Sequence, residues 1–267
     1  MKNNPFSLKN KSVFIFGGSG LIGSQITKTL LDFEAKVFVL DINRFKYSKK
    51  YNKKNTNLVD INFDISDVDN LDNNLKKIFK IKKCPDVVIN CSYPIVGDWI
   101  NSSFDKNKIK LLRNNVDAHL NSSCWIAYKF CEEMKKNKIR GSVIQFSSIY
   151  GSLGQNISLY KKTKMKENMN YSIIKGGITN FTRQLCSYYG KYNIRINTIS
   201  PGGIIGHIKG SKKNQSKQFL NNYAKLCPLK RLGKPQEVAN VVLFLSSEAS
   251  SYVSGMNLFV DGGWNAI

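Results

Sequence analysis

The segment Ser12-Val-Phe-Ile-Phe16 runs directly into Gly17-Gly-Ser-Gly-Leu-Ile-Gly23, and apolar residues then recur with helical spacing at Ile26, Leu30 and Leu31. The first five residues are mostly apolar, which indicates a strand buried on both faces of a parallel sheet. Glycines let the chain turn tightly, and they let a pyrophosphate approach the N-terminus of the following helix, whose free N–H groups favour anions. The segment therefore predicts an α/β fold that binds a dinucleotide.

The glycine turn and the next predicted strand contain the residues expected to contact this dinucleotide. In the turn they are Gly17, Ser19, Gly20, Leu21, Ile22 and Gly23. The following strand, residues 36–40, ends at Asp41, 18 positions past Gly23. A carboxylate there accepts hydrogen bonds from the adenosine ribose and repels a 2′-phosphate. The sequence therefore predicts NAD rather than NADP, although Arg44 and Lys46 lie close enough along the chain to weaken the preference.

The composition indicates one α/β domain with a strongly basic surface. The chain has 267 residues, of which 42% are hydrophobic, and we expect a loose polar tail over residues 1–10 and a single domain over residues 11–267. Lys and Arg number 41 against 18 Asp and Glu, and the formal net charge of +23 would suit an acidic partner such as nucleic acid. The lysines are scattered rather than gathered in one arm, so we favour a compositional origin of the charge.

The cysteines, histidines and apolar runs argue against several other classes of protein. The six cysteines include no Cys-x-x-Cys pair, and the histidines are only His119 and His207, so no metal site is expected. Free thiols fit a reducing, cytoplasmic location. The apolar run over residues 13–16 is far too short for a signal peptide or a membrane span.

The rest of the chain alternates predicted strands with predicted helices. Strands are expected at residues 58–63, 86–89, 141–146, 193–199 and 257–260. Helices are expected from Ser66 with Asp69 as its capping partner, from about residue 104 to 136, from Tyr171 to about Tyr189 with Gly190 as the stop, and from Pro235. Two polar connections, residues 152–170 and 206–230, are interpreted as an active-site loop and a substrate lid.

Polar residues follow several of these strands, at the edge where ligands bind to open α/β sheets. After the third strand, Ile65 is placed to contact an adenine ring, and Asp64 is placed to face the adenine amino group. The fourth strand delivers Asn90-Cys91-Ser92-Tyr93 to this edge, and the fifth delivers Ser147-Ser148. A serine at a strand end often only forms a turn. Across the crevice from Tyr171, however, it could hydrogen-bond a substrate oxygen.

Tyr171 and Lys175 are four residues apart, so both lie on one face of a predicted helix. An ammonium beside a phenol favours the phenolate and is expected to lower the pKa of Tyr171 from about 10 towards the working pH. A tyrosine tuned in this way can exchange a proton with an alcohol or carbonyl oxygen. Because a Tyr-x-x-x-Lys pair also arises by chance, its catalytic interpretation depends on the other motifs of the chain.

These motifs, in this order, resemble those of short-chain dehydrogenases/reductases of the classical type, from the glycine turn to Val260-Asp261-Gly262-Gly263. The resemblance implies a single-domain, Rossmann-type, doubly wound parallel sheet of about seven strands with helices on both faces. It implies that Tyr171 is the general acid/base, that Lys175 binds the nicotinamide ribose and lowers the tyrosine pKa, that Ser148 polarises the substrate oxygen, and that Asn115 anchors a water that relays the proton. Further cofactor contacts are expected from Asn90, Tyr171, Lys175, Pro201, Gly202 and Ile204.

Several residues depart from the family pattern, and these departures indicate a particular subgroup of the family. The glycines have the spacing of the nucleotide-sugar branch, the usual Asn-Asn-Ala-Gly is Asn90-Cys91-Ser92-Tyr93, and the usual Thr after Pro-Gly is Gly206. The connection before Tyr171 is also unusually long. Together these traits resemble a bacterial subgroup linked to flagellin and surface-sugar modification.

We therefore predict a cytoplasmic, NAD-dependent oxidoreductase that interconverts an alcohol and a ketone on a sugar or amino-sugar derivative. The resemblance implies a homodimer or homotetramer that binds a small-molecule substrate, and neither nucleic acid nor a membrane is an expected partner. A 3-oxoacyl-[acyl-carrier-protein] reductase is one alternative, and Asp41 argues against it because such reductases typically use NADPH. A non-catalytic dinucleotide sensor or scaffold is the other, and the complete catalytic set argues against it.

Overall fold

The predicted strands form one parallel sheet in the computed structural model, which describes residues 4–45, 57–81, 84–94, 101–163, 165–206 and 215–267. Within those ranges the sheet has seven strands in the order β3-β2-β1-β4-β5-β6-β7. They are β1 Ser12–Phe16, β2 Lys36–Asp41, β3 Leu58–Asn62, β4 Val87–Asn90, β5 Ser142–Phe146, β6 Arg195–Pro201 and β7 Asn257–Val260. The predicted Rossmann-type architecture is confirmed.

Helices cover both faces of this sheet. They are α1 Leu21–Asp32, α2 Leu71–Ile81, α3 Ile109–Asn115, α4 Ser122–Lys136, α5 Met169–Tyr189, α6 Lys217–Leu226 and α7 Pro235–Ser246. Successive strand residues point to opposite faces, so Val13 and Ile15 of β1 join a core with α1 and α7. Phe14 and Phe16 join a second core with α2, α4 and α5. The sheet is therefore buried on both sides, which explains the nearly continuous apolar strands.

The strand order reverses between β1 and β4, and this switch point creates the crevice for a ligand. In the register of the sheet, Phe16 of β1 lies opposite both Leu40 of β2 and Asn90 of β4. The residues that follow these three positions therefore emerge at the same edge. That edge brings together the glycine turn, Asp41 and the segment after Asn90.

The structure corrects two predicted helices and the predicted tail. The helix expected over residues 104–136 begins only at Ile109, and a π-helical segment, Val116–Asn121, separates α3 from α4. The helix expected from Ser66 begins at Leu71, because Ser66 bonds back to the Asp64 carboxylate instead of capping the helix. In the tail, Leu8 is fully buried and its N–H donates to the Phe33 carbonyl, so this residue is packed, whereas residues 4–6, 9 and 10 are exposed.

Candidate functional site

The glycine turn is shaped by close backbone contacts. Gly17 has φ +79°, and a Cβ there would lie 2.5 Å from the Cα of Ser92. A Cβ on Gly23 would lie 2.1 Å from the Gly17 carbonyl oxygen. Only glycine leaves room at these positions, and the first also needs the left-handed region that glycine adopts without strain. The turn is thereby held tightly against the segment after β4.

The Asp41 carboxylate ties this turn to the end of β2. One oxygen accepts from the backbone N–H of Ser19 at 3.0 Å, and the other accepts from the N–H of Asn43 at 2.9 Å. The side-chain amide of Asn43 also donates to the carboxylate, at 3.3 Å. Asp41 therefore positions the turn as well as facing the crevice. Arg44 beside it is exposed, and Lys46 lies outside the described residues.

A cavity of about 200 Å³ opens beside Asp41 at the switch point. Its walls include Gly17, Ile65 and Tyr93. Asp64 also lines it, with one carboxylate oxygen that accepts from the N–H of Ser66 at 2.8 Å. The pair predicted to contact adenine, Asp64 and Ile65, thus lies in the same cavity as Asp41, an arrangement suited to an adenosine group.

Three of the four predicted catalytic residues meet beyond β5. Ser148 is buried directly after that strand, and its side chain hydrogen-bonds the Tyr171 side chain. The ammonium of Lys175, one turn further along α5, lies 5.7 Å from the Tyr171 ring centroid. It donates to the Phe146 carbonyl at 3.0 Å. The neighbouring Ser147 instead donates to the Lys175 carbonyl, which supports the choice of Ser148 as the serine that faces the site.

Asn115 is the last residue of α3, and the π-helical segment that follows it packs against α5. Its side-chain N–H donates to the Leu111 carbonyl at 2.7 Å. Its Oδ1 is buried and makes no hydrogen bond within the part of the chain that the structure describes. Buried polar atoms are normally paired in native proteins, so this oxygen is placed to accept from a bound molecule.

Burial controls the ionisation of the catalytic pair. It raises the pKa of the Tyr171 phenol, which the Ser148 hydrogen bond lowers only in part, and it lowers the pKa of Lys175 to about 8. The expectation that Lys175 lowers the tyrosine pKa is therefore wrong. The physical reason is desolvation, which disfavours the charged phenolate more than the Ser148 hydrogen bond favours it. Tyr171 as a whole residue is half-buried.

Comparisons with known proteins agree with this geometry. The family model described as enoyl-(acyl carrier protein) reductase matches residues 19–265. The crystal structure of a short-chain dehydrogenase from Leptospira borgpetersenii with bound NAD⁺ superimposes with a TM-score of 0.84 and 31% identity, and the match covers 99% of this chain and 96% of that one.

The chain belongs to the short-chain dehydrogenase/reductase family.

Two curated relatives extend over almost the same length. Post-translational flagellin modification protein A of Campylobacter coli is 29% identical over 261 residues, which cover 96% of this chain and 99% of the relative. The ribulose-forming D-arabinitol 2-dehydrogenase of Candida albicans is 26% identical over 276 residues, which cover 97% and 94%. As a member of this family the protein is an NAD(P)-dependent oxidoreductase that acts on an alcohol or a ketone.

The residues present in this short-chain dehydrogenase/reductase fit a dinucleotide. Besides the Asn115 oxygen, the Nδ2 of Asn90 is buried without a partner among the described groups. The Asn90 Oδ1 accepts from the Ser92 hydroxyl at 2.6 Å. The unpaired Asn90 amide at the sheet edge, together with the glycine turn, suits the polar ribose and phosphate groups that such a molecule presents.

The remaining predicted contacts follow β6 at the same edge. Pro201 ends the strand, and Gly202 is packed so closely that a Cβ there would lie 2.5 Å from the Tyr223 hydroxyl. Ile204 pairs with the strand-like segment at Gly233. At Gly206, φ is +148°, a backbone conformation that a threonine would rarely adopt.

The two polar connections both have internal order in their described parts. In residues 152–170, outside Lys164, the Gln155 side chain closes the loop by donating to the Asn168 carbonyl at 3.0 Å. In residues 206–230, of which 207–214 lie outside the described part, the chain forms helix α6. Tyr223 anchors it, since its hydroxyl accepts from the Gly203 N–H at 2.7 Å and its ring stacks on Trp264.

Sequence reasoning missed the aromatic side chains beside Tyr171. Its ring centroid lies 6.3 Å from that of Tyr93 and 6.5 Å from that of Tyr150. His119, from the π-helical segment, lies 5.2 Å from Tyr93. The one available signal was Tyr93 itself, which stands where the family pattern has glycine.

In the ranges that the structure describes, no group of three or more His, Cys, Asp and Glu side chains is arranged to hold a metal ion. No helix in those ranges is both long and apolar enough to span a bilayer.

Proposed function

We propose that the protein is an NAD(H)-dependent oxidoreductase that interconverts an alcohol and a ketone on a sugar or amino-sugar derivative used in surface-glycan or flagellin modification. The hydrogen bond between Ser148 and Tyr171, with Lys175 one helical turn away, carries the proposal of catalysis. The Asp41 carboxylate at the crevice supports NAD over NADP. The likeness to a flagellin modification protein and to a polyol dehydrogenase supports the substrate class.

In this proposal each residue of the set has one role. Ser148 holds the substrate oxygen beside the Tyr171 oxygen, which as the phenolate accepts the alcohol proton in oxidation and as the phenol donates its proton in reduction. The nicotinamide, when bound, accepts or supplies the hydride. Lys175 binds the nicotinamide ribose, and the free oxygen of Asn115 holds the water through which the proton reaches solvent. Gly17–Gly23, Asp41, Asp64, Ile65, Asn90, Pro201, Gly202 and Ile204 hold the rest of the cofactor.

Steady-state turnover with NAD and with NADP, measured on sugar alcohols, amino sugars and 3-oxoacyl thioesters, tests this function. We expect higher kcat/KM with NAD and on the sugar substrates. Efficient NADPH-dependent reduction of the thioesters would favour the acyl-carrier-protein reductase instead. Binding of NAD without turnover of any substrate would favour the sensor or scaffold.

We also propose that the protein is a cytoplasmic homodimer or homotetramer joined through its long helices, with residues 152–170 and 206–230 as active-site loop and lid. Trp125, which is 42% exposed, lies with Tyr128 and Phe181 in a groove on α4 and α5. Such an apolar surface suits association with a second copy. The six cysteines form no disulfide in the part of the chain that the structure describes, which fits a reducing compartment. Analytical ultracentrifugation of Trp125→Glu against the unaltered protein tests the interface, and an unchanged mass would exclude it.

A further inference from the structure

Tyr93 occupies a position where its ring can reach both the cofactor crevice and the reacting groups. It follows β4 and is 42% exposed. It lines the cavity beside Asp41, and its ring centroid is 6.3 Å from that of Tyr171 at an interplanar angle of 65°. An aromatic ring that is this exposed inside a crevice, rather than on the outer surface, is available to a ligand.

His119 fixes the orientation of this ring from behind. The imidazole is only 4% exposed, and its centroid lies 5.2 Å from that of Tyr93 at 59°. It reaches this place because the π-helical segment inserts an extra residue into the turn after Asn115, and π-bulges often serve functional sites. Burial, and then the charge of Lys175, lower the pKa of His119 to about 3. At neutral pH the ring is therefore uncharged and acts as a flat packing surface.

Tyr150 supplies a second ring beside the reacting hydroxyl. It follows Ser148 by two residues, its N–H donates to the Ser148 hydroxyl at 3.3 Å, and its ring centroid lies 6.5 Å from that of Tyr171. Tyr171 thus has two aromatic neighbours, one that follows β4 and one that follows β5. A rigid ring-shaped substrate can lay its C–H faces against such rings and loses little conformational freedom on binding, whereas a flexible open chain loses more.

We propose that Tyr93, held in place by His119, is a specificity-determining residue that selects substrates whose reacting alcohol or ketone belongs to a six-membered ring. Such substrates are pyranose sugars and cyclitols, as opposed to open-chain polyols and acyl chains. This inference rests on the proposed function, and it separates the protein from a relative that acts, by its name, on the open-chain polyol D-arabinitol.

Kinetics on matched cyclic and open-chain substrates test the inference. The unaltered enzyme, Tyr93→Ala and Tyr93→Phe are assayed with NAD on methyl pyranosides and cyclitols, and on hexitols and 2-alkanols. Binding of the same compounds to the NADH-saturated protein is measured by calorimetry. We expect the unaltered enzyme to prefer the cyclic compounds. Tyr93→Ala should lose about tenfold in kcat/KM or affinity on them, a loss typical of missing contacts in an apolar pocket, and less than about threefold on open chains. Tyr93→Phe should keep the cyclic preference.

His119 is tested as a positioning residue by rescue. His119→Ala should raise KM for cyclic substrates while kcat stays within about threefold, and His119→Phe should restore KM because it returns a flat ring. If the alanine variant lowers kcat and the phenylalanine variant does not recover KM, the positioning role is wrong.

The outcomes also separate this inference from the proposed function. Selective binding of cyclic compounds without turnover would contradict the proposed enzymatic function but would support the role of Tyr93 in selecting cyclic compounds. Turnover that favours open chains would leave the enzyme function and overturn the inference. An unaltered protein that neither binds nor turns over cyclic compounds overturns it as well, and so does a Tyr93→Ala variant whose only defect is weaker NAD binding.

Discussion

The half of the crevice that we propose binds adenosine and the half that we propose is catalytic are stabilised in different ways. At the glycine turn and Asp41, the carboxylate accepts from two backbone N–H groups, and glycines pack against backbone. Around Tyr171 and Lys175, an ammonium is buried and the phenol is desolvated. One half is stabilised by its own contacts. In the other half, burial disfavours the charged forms of its titratable groups, as is common at functional sites.

The largest effect should follow from removing the proton donor of the catalytic half. Tyr171→Phe is expected to lower kcat by at least about 10²-fold, the usual scale for loss of a general acid/base, while NAD affinity stays near its original value. Stopped-flow rates and fluorescence titration of NADH measure the two quantities. Tyr189→Phe, on the same helix with its hydroxyl on Glu132 at 2.6 Å, is the matched control and should keep its activity. Near-normal turnover by Tyr171→Phe would end the proposed mechanism.

The next effect tests whether the adenosine half depends on backbone packing. Gly17→Ala needs a left-handed backbone and places its Cβ 2.5 Å from Ser92, so we expect a loss of roughly 2–5 kcal/mol in the free energy of unfolding. Gly20→Ala, whose Cβ would lie 3.3 Å from the Gly17 oxygen, should cost about 1 kcal/mol or less. Urea denaturation compares them. Equal losses would mean that the close approach of Gly17 does not limit the turn.

Replacing the buried ammonium should stabilise the free protein. Lys175 has a pKa of about 8 in the fold and about 10.4 when unfolded, so between these pH values the unfolded chain binds more protons and stability rises with pH. Below pH 8 the folded protein bears the full free-energy cost of burying the charged Lys175. Lys175→Met should therefore raise the free energy of unfolding at pH 7 by up to about 3 kcal/mol, less the lost bond to Phe146.

The stabilisation by Lys175→Met should depend on pH. It should shrink as the pH rises from 8 and disappear above about pH 10.4, where the unaltered lysine is neutral in the folded and in the unfolded protein. Lys80→Met, an exposed site on α2, is the control and should change stability by less than about 0.5 kcal/mol at any pH. Destabilisation by Lys175→Met at pH 7 would show that burial of the lysine charge does not cost stability in this half of the crevice.

The smallest effect concerns cofactor choice. Asp41→Ala removes the charge that repels a 2′-phosphate, so the NADP/NAD ratio of kcat/KM should rise on the order of tenfold. The bonds to Ser19 and Asn43 are lost as well, and the variant should melt at a lower temperature. Asp32→Ala, on the exposed end of α1, should leave the ratio unchanged. An unchanged ratio in Asp41→Ala would mean that its carboxylate only positions the glycine turn.

Much of the fold could be predicted because its signals are local. The bounds predicted for β1 and β7 agree with the structure, as do the helix start at Pro235 and the helix stop at Gly190. The strands and the helix start depend on residues adjacent in the chain, namely an apolar run and a fixed proline φ. At Gly190 the position agrees but the mechanism does not, because Gly190 keeps right-handed helical angles and the left-handed residue is Asn193, after a 3-10 turn. The spacing of four residues between Tyr171 and Lys175 is equally local, so the proposed catalytic pair could be predicted from the sequence.

The features that sequence reasoning missed depend on groups far apart in the chain. The π-helical turn that places His119 against Tyr93 leaves no mark in the apolar periodicity of the long helix. The pKa of Tyr171 rises because the fold surrounds its hydroxyl, although the local pairing with Lys175 predicts the reverse.

The amino-acid sequence by itself thus determined the strand and helix alternation, the glycine turn, and the identity of the acid/base pair, since turn geometry and helical spacing act over a few residues. Only the tertiary structure decided which aromatic rings border Tyr171, which polar atoms are left without partners, and how much charge the site can bear. Those properties depend on burial and on contacts between strands β4 and β5, the π-helical segment and α5. Short-range patterns carry no information about how closely such distant segments approach.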